Sequence, residues 1–169
     1  ALKTLPKDAH ILVVGAGTGA ELLYLAKEYP QWQFTAVEPS EDMLDVCKEK
    51  VERVGLFDRC RFHQGFVDEL PGEAVYHGAT SLLVSQFLTK LDDRRAFFSA
   101  IAKRLLPGGR LVTADLANCG EDDEQIWQLW LLAISLLGGG SEHVAEYKKS
   151  VKQGVSFLSN AEMKALLAS

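Results

Sequence analysis

Residues 11–21 read Ile11-Leu12-Val13-Val14-Gly15-Ala16-Gly17-Thr18-Gly19-Ala20-Glu21. An unbroken apolar run of this kind is how a strand buried on both faces reads. It ends at glycines on alternate positions, which permit a tight turn and let a ligand come close to the backbone. A helical pattern follows directly. Leu22, Leu25, Ala26 and Tyr29 recur at helical spacing over Gly19–Tyr29, and Pro30 closes the segment. The helix start offers free N–H groups to an anionic or carboxylate group. Packing alone is the competing explanation for such a loop.

The same alternation continues outward. Gln33–Glu38 predicts a second strand. Ser40 is placed to cap a helix, with Glu41 and Asp42 favourable to its dipole, Met43, Cys47 and Val54 on one face, and Gly55 at its end. Cys60–Gln64 predicts a third strand and Ser81–Val84 a fourth. Asp92 is expected to cap a helix with a stripe of Phe97, Phe98, Ile101 and Leu105, and Pro107-Gly108-Gly109 to turn the chain into a fifth strand, Arg110–Leu116. Strands separated by helices or long crossovers predict an α/β fold, a Rossmann-like, doubly wound and mostly parallel sheet. Residues 1–169 are expected to form a single domain with a helical insertion at about 119–157. That insertion holds the acidic cluster Glu121–Glu124, the apolar segment Ile126–Leu137 and the breaker Gly138-Gly139-Gly140. Ser159 is placed to cap a last helix with Met163, Leu166 and Leu167.

Composition narrows the function classes. The 169 residues are 47% hydrophobic and 24% charged, which excludes a disordered chain. Three cysteines without C-x-x-C spacing exclude a readable zinc knuckle or dithiol site and suit a reducing compartment. No metal site is expected. The net charge of −5, without a basic stripe, argues against a nucleic-acid partner. The longest apolar run, Leu129–Leu137, is far short of the roughly 20 residues needed to cross a bilayer, and Ala1–His10 lacks an apolar signal core. A cytoplasmic protein with no membrane association is the expectation.

Glu38 ends the second strand about 20 residues after the glycine loop, where an acid meets a ribose diol in Rossmann-type sites. Gly15-x-Gly17-x-x-Ala20 satisfies the dinucleotide fingerprint permissively, and Gly15, Gly17 and Gly19 satisfy G-x-G-x-G without concession. The rest of the chain favours the second. Val13–Glu21, Glu38-Pro39-Ser40-Glu41-Asp42-Met43 and Leu105-Leu106-Pro107-Gly108-Gly109-Arg110-Leu111 together resemble class I S-adenosylmethionine-dependent methyltransferases over about residues 10–116. The resemblance implies S-adenosylmethionine as cofactor and S-adenosylhomocysteine as product. It further implies that Gly15, Ala16 and Gly17 approach the methionine end, and that Glu38, beside Pro39, binds the ribose hydroxyls. Met43 would pack on the adenine, Gly65, Phe66 and Val67 would read the adenine edge, and Ser85 and Gln86 would face the methionine and the methyl group.

The chain departs from the family pattern in three places. Val13 stands where many members have an acid, and Glu21 is the nearby carboxylate. Phe66 stands where an acid is common, with Asp68 two places late. Five strands are readable rather than seven, so the final hairpin and the N-terminal covering helix are expected to be missing and the chain to be truncated. The open edge of the fifth strand makes a homodimer one expected consequence.

The resulting expectation is methyl transfer to a small-molecule acceptor, with Trp127 and Trp130 in the insertion as candidate acceptor contacts. No catalytic base is assigned, because displacement at an activated methyl needs one only when the nucleophile arrives protonated. The four histidines lack ligand spacing, with His77 a weak candidate base, and Ser85 lacks a hydrolase elbow. A Rossmann-type NAD-dependent oxidoreductase and a non-catalytic cofactor-binding subunit are the alternatives.

Overall fold

In the computed structural model, which describes residues 2–72, 75–117, 128 and 154–168, the apolar run becomes β1 (His10–Val14). Helix α1 (Ala20–Glu28), β2 (Gln33–Glu38), α2 (Glu41–Arg53) and β3 (Cys60–Gln64) follow. Then come β4 (Tyr76–Leu82), α3 (Leu91–Ala102) and β5 (Leu105–Ala114), and α4 (Asn160–Leu167) lies near the chain's end. The five strands form one all-parallel sheet in the order β3-β2-β1-β4-β5. The chain winds outward from β1 to β3, returns to β4 beside β1, and winds the other way to β5. Right-handed crossovers in opposite directions put α1 and α2 on one face and α3 on the other.

Two compact units are defined, Ala1–Ser85 with Ala96–Ala114, and Gln86–Arg95 with Asp115–Ser169. In the first, Ile11, Val13, Phe34 and Ala36 of the sheet pack with Leu22 and Ala26 of α1 and Leu44, Cys47 and Val51 of α2. Each fully buried Leu or Phe contributes about 1.5–3 kcal/mol. Arg59 ties the end of α1 to this core. Its Nε donates to the carbonyl of Trp32 (2.9 Å), and its terminal nitrogens donate to those of Ala26 and Tyr29 at 3.1–3.3 Å.

Several expectations are corrected. The buried seam of α2 is Leu44, Cys47 and Val51, whereas Met43 and Val54 are exposed. Residues three and seven apart share a helix face, and Met43 lies one position off it. β4 begins at Tyr76 rather than Ser81, because His77 and Gly78 interrupt the apolar signal although Tyr76 and Gly78 on either side of His77 pair in the sheet. β5 already begins at Leu105. Pro107-Gly108-Gly109 lies inside it as an irregularity, with Leu105 opposite Tyr76 and Arg110 opposite Gly78. Leu105 therefore belongs to a strand and leaves the expected α3 stripe, in which Phe98 and Ile101 are buried and Phe97 is half-buried. Asp92 lies within the first turn of α3 rather than before it.

In the second unit Gln86 acts as a tie. Its Oε1 accepts from the Leu116 N–H (2.9 Å) and its carbonyl from the Ser156 N–H (2.8 Å). Arg94, 1% exposed, donates to the Ser156 carbonyl at 2.9 Å, and Ala117 bridges Leu158 in parallel. Ser159 caps α4 as expected, in a reciprocal box with Glu162. The expected insertion at about 119–157, except for 128 and 154–157, lies outside the described residues, as do Trp127 and Trp130. Among the described residues no strand extends the sheet beyond β5.

Candidate cofactor site

In an open parallel sheet, ligands bind beyond the strand C-termini where the winding reverses, here between β1 and β4. The glycine loop lies there. Gly15, Gly17 and Gly19 adopt positive φ of 71°, 52° and 83°. Their reasons differ. A Cβ on Gly15 would collide with Val84 Cγ2, and one on Gly19 would come within 2.6 Å of Cys47 Sγ, so both glycines also serve packing. A Cβ on Gly17 would meet nothing within 4 Å, so this is the glycine that opens onto free space.

The loop N–H groups are largely engaged within the protein. Those of Gly15 and Ala16 donate to the Val37 carbonyl (2.8 and 3.1 Å), and that of Gly19 to the Ala16 carbonyl (2.9 Å). Gly17 N–H donates to Glu38 Oε2 at 2.9 Å. A pyrophosphate cradle presents such N–H groups to its ligand, so this loop suits a cofactor without one.

Glu38 is the hub of the rim. It is 7% exposed, and its second oxygen, Oε1, accepts from Ser40 N–H at 3.0 Å. An ionised carboxylate has about four lone-pair sites, so acceptor capacity remains for a diol. Register brings its strand beside the loop, since Val14 of β1 faces Val37 of β2. Pro39 is exposed and leads into the Ser40 cap of α2.

Two apolar side chains are exposed on the segments that follow β2 and β3. Met43 is 48% and Phe66 61% exposed. Gly65 bonds to the Glu38 carbonyl (3.2 Å), while Val67 is buried and anchors the loop. Glu69, which the sequence reading passed over, accepts from Phe66 N–H at 2.7 Å. Its position three residues after Phe66 is the signal that could have found it. Ser85 is fully buried after β4, and Gln86 is buried with its side-chain oxygen bonded to Leu116 in the second unit. Leu83 was also missed: it adopts φ 60° and is 53% exposed at the end of β4.

Glu21, in the first turn of α1, is half-buried and keeps Oε1 buried without a hydrogen-bond partner. Burial pushes its carboxyl above the usual carboxylate range, opposed by the Thr80 hydroxyl beside it. His77, by contrast, sits in β4 near the strand starts, where its Nδ1 accepts from His10 N–H (3.1 Å). That removes it from the rim and from the role of base. Among the described residues no cluster of metal-ligating side chains is present.

A reversed parallel sheet with a buried acid at its crevice defines a Rossmann-like domain for a nucleoside-containing cofactor. Comparison with known proteins agrees. A family model described as a methyltransferase domain matches residues 11–109. O-methyltransferase cnsE of Penicillium expansum is 34% identical over 110 residues, 64% of this chain and 38% of that protein. A cobalt-precorrin-6B C(15)-methyltransferase (decarboxylating) of Salmonella typhi is 37% identical, covering 80% of this chain and 73% of that protein. Geranyl diphosphate C-methyltransferase from Streptomyces coelicolor A3(2), solved with S-adenosyl-L-homocysteine, shares the fold, with a TM-score of 0.70 at 14% identity over 99% of this chain and 56% of that one. The chain belongs to the methyltransferase domain family, of the class I, S-adenosylmethionine-dependent kind. It spans 33–43% of the length of several curated relatives that it matches.

Proposed function

We propose that the domain binds S-adenosylmethionine along this rim and transfers its methyl group to a small-molecule acceptor, leaving S-adenosylhomocysteine. The observation that carries this reading is the buried Glu38 carboxylate, which joins the glycine loop to the start of α2. The cofactor supplies a methyl group on a positively charged sulfur, already activated for in-line displacement. Glu38 receives the ribose hydroxyls on its remaining lone pairs, and Gly17 leaves room for the approach. Met43 and Phe66 cover the adenine, a use of exposed apolar groups for which a thioether and a ring face are suited. Gly15 and Ala16 shape the loop through Val37 and Val84, and Ser85, buried just after β4, is the proposed contact on the methionine side.

The protein's main contribution is alignment and exclusion of water, which together are worth up to about 7–11 kcal/mol. The small-molecule acceptor is supported by relatives whose names give cobalt-precorrin-6B as the group methylated. Trp127 and Trp130 remain the proposed acceptor contacts. Residues 1–169 are taken as one cofactor-binding domain. Pairing of two copies along β5 belongs to the same proposal, supported by the edge position of that strand among the described residues. A cytoplasmic setting is supported by the buried free thiols of Cys47 and Cys60 and by the absence, among the described residues, of a helix able to cross a membrane.

Calorimetric titration with S-adenosylhomocysteine tests the central claim. Glu38→Gln removes charge-assisted contacts and is expected to cost about 1.5–3 kcal/mol of binding, roughly tenfold to a hundredfold in Kd. Unchanged affinity in that variant, or tighter binding of NAD by the wild type, would refute the reading.

A further inference from the structure

Away from the cofactor rim, the first unit has an open groove of about 370 Å³ beside the C-terminal half of α3. That volume falls within the range of small-molecule pockets. Ala96, Ser99, Ala100 and Lys103 line one side, at the three- and four-residue spacings of a single helix face. The two alanines are small, which leaves the room. Asp68 and Arg104 complete the lining. None of these residues belongs to the proposed cofactor site.

Both walls are held in place. Arg104 donates from its two terminal nitrogens to the carbonyls of Gly72 (3.2 Å) and Asp68 (3.4 Å), and its own carbonyl accepts from the N–H groups of Val75 and Tyr76. Val67 and Leu70 bury their side chains and anchor the loop between. Those carbonyls are neutral, so they leave the guanidinium charge uncompensated and some of its N–H donors free. Among the described residues, the Lys103 ammonium and the Asp68 carboxylate make no hydrogen bond or ion pair. The helix end does not call on these side chains either, because the N–H groups of Lys103 and Arg104 bond to the Ser99 and Ile101 carbonyls at 3.0 Å.

The charges define the ligand. Two neighbouring cations match one anionic group. The carboxylate in the same groove repels a second anion but accepts from hydroxyl groups, and the Ser99 hydroxyl can donate or accept. We infer that this groove is a second small-molecule site, which binds a phosphorylated polyhydroxy compound with its phosphate on Lys103 and Arg104 and its hydroxyl groups on Asp68 and Ser99. The site stands independently of the cofactor reading above.

The test is calorimetric titration of the full 169-residue chain with glucose 6-phosphate, inorganic phosphate and glucose, each with and without S-adenosylhomocysteine. Glucose 6-phosphate is expected to bind with a Kd at or below about 1 mM, inorganic phosphate about tenfold more weakly, and glucose not measurably. Lys103→Ala should weaken both phosphates about tenfold. Asp68→Asn should weaken glucose 6-phosphate about threefold to tenfold and leave inorganic phosphate as tight or tighter, because the amide ends the repulsion. Ala100→Phe, which fills the groove, should abolish binding of both. Melting temperatures should stay near wild type for Lys103→Ala and Asp68→Asn, since both positions are exposed. Absence of glucose 6-phosphate binding, undiminished binding by Lys103→Ala, or displacement by S-adenosylhomocysteine overturns the site. Inorganic phosphate as tight as glucose 6-phosphate overturns the assignment of the hydroxyl groups. If Ala100→Phe fails to fold, Lys103→Ala decides.

Discussion

Gly15 and Gly17 look equivalent in the sequence, yet their replacement should not cost the same. Both have positive φ, so an alanine at either strains the backbone by about 1–2 kcal/mol. At Gly15 the new methyl also meets Val84, and overpacking adds about 1–3 kcal/mol. Gly15→Ala should therefore lower the melting temperature clearly more than Gly17→Ala, and Val84→Ala should recover part of that loss. Equal melting temperatures for the two glycine variants would contradict the geometry. Gly17→Ala should instead show itself in weaker S-adenosylhomocysteine binding, because its methyl enters the open space. The glycine pattern and the acid of Glu38 were legible from spacing. Which glycine faces solvent was not, since that depends on Val84 and Cys47, far away in sequence.

At the scale of elements, the end of α1 offers a direct test of what holds the layers together. A helix leaves its last carbonyls without partners, and Arg59 supplies the donors for Ala26 and Tyr29 while also bonding the Trp32 carbonyl. Its guanidinium lies 5.7 Å from the centre of the Phe34 ring. Arg59→Ala is expected to cost about 1.5–3 kcal/mol in denaturant unfolding. Arg59→Lys should recover little of it, because an ammonium cannot span the same fork of carbonyls. A loss below about 0.5 kcal/mol, the range of ordinary surface changes, would show the clamp to be idle. Element types followed from periodicity and capping, as Ser40 and Ser159 illustrate. Boundaries failed where pairing overrode local composition: Gly78 is unremarkable in sequence but lies in β4 because Ile11 of β1 and Arg110 of β5 pair with it.

For the whole molecule, pH reports on the base of the sheet. Burial, then the nearby Arg61 charge and His77, hold the His10 imidazole below its ordinary value of 6.5. The unfolded chain then takes up this proton first, so the contribution is complete above about pH 6.5 and is lost as pH falls through the lowered folded value. Glu21 works in the opposite sense, because its raised folded value favours the protonated native state at acid pH. Melting temperatures of wild type and His10→Gln between about pH 8 and 5.5 separate the two. The wild type should lose more on acidification, and parallel curves would remove His10 from the account. By itself the sequence determined the α/β class, the glycine loop, Glu38 and the family resemblance, because hydrophobic period, turn chemistry and motif spacing are local properties. Only the tertiary structure decided the strand order, the irregularity inside β5, the withdrawal of His77 from the rim and the burial of Glu21 beside Thr80. Each of these depends on which distant residues become neighbours, and burial and register set those contacts once the chain has folded.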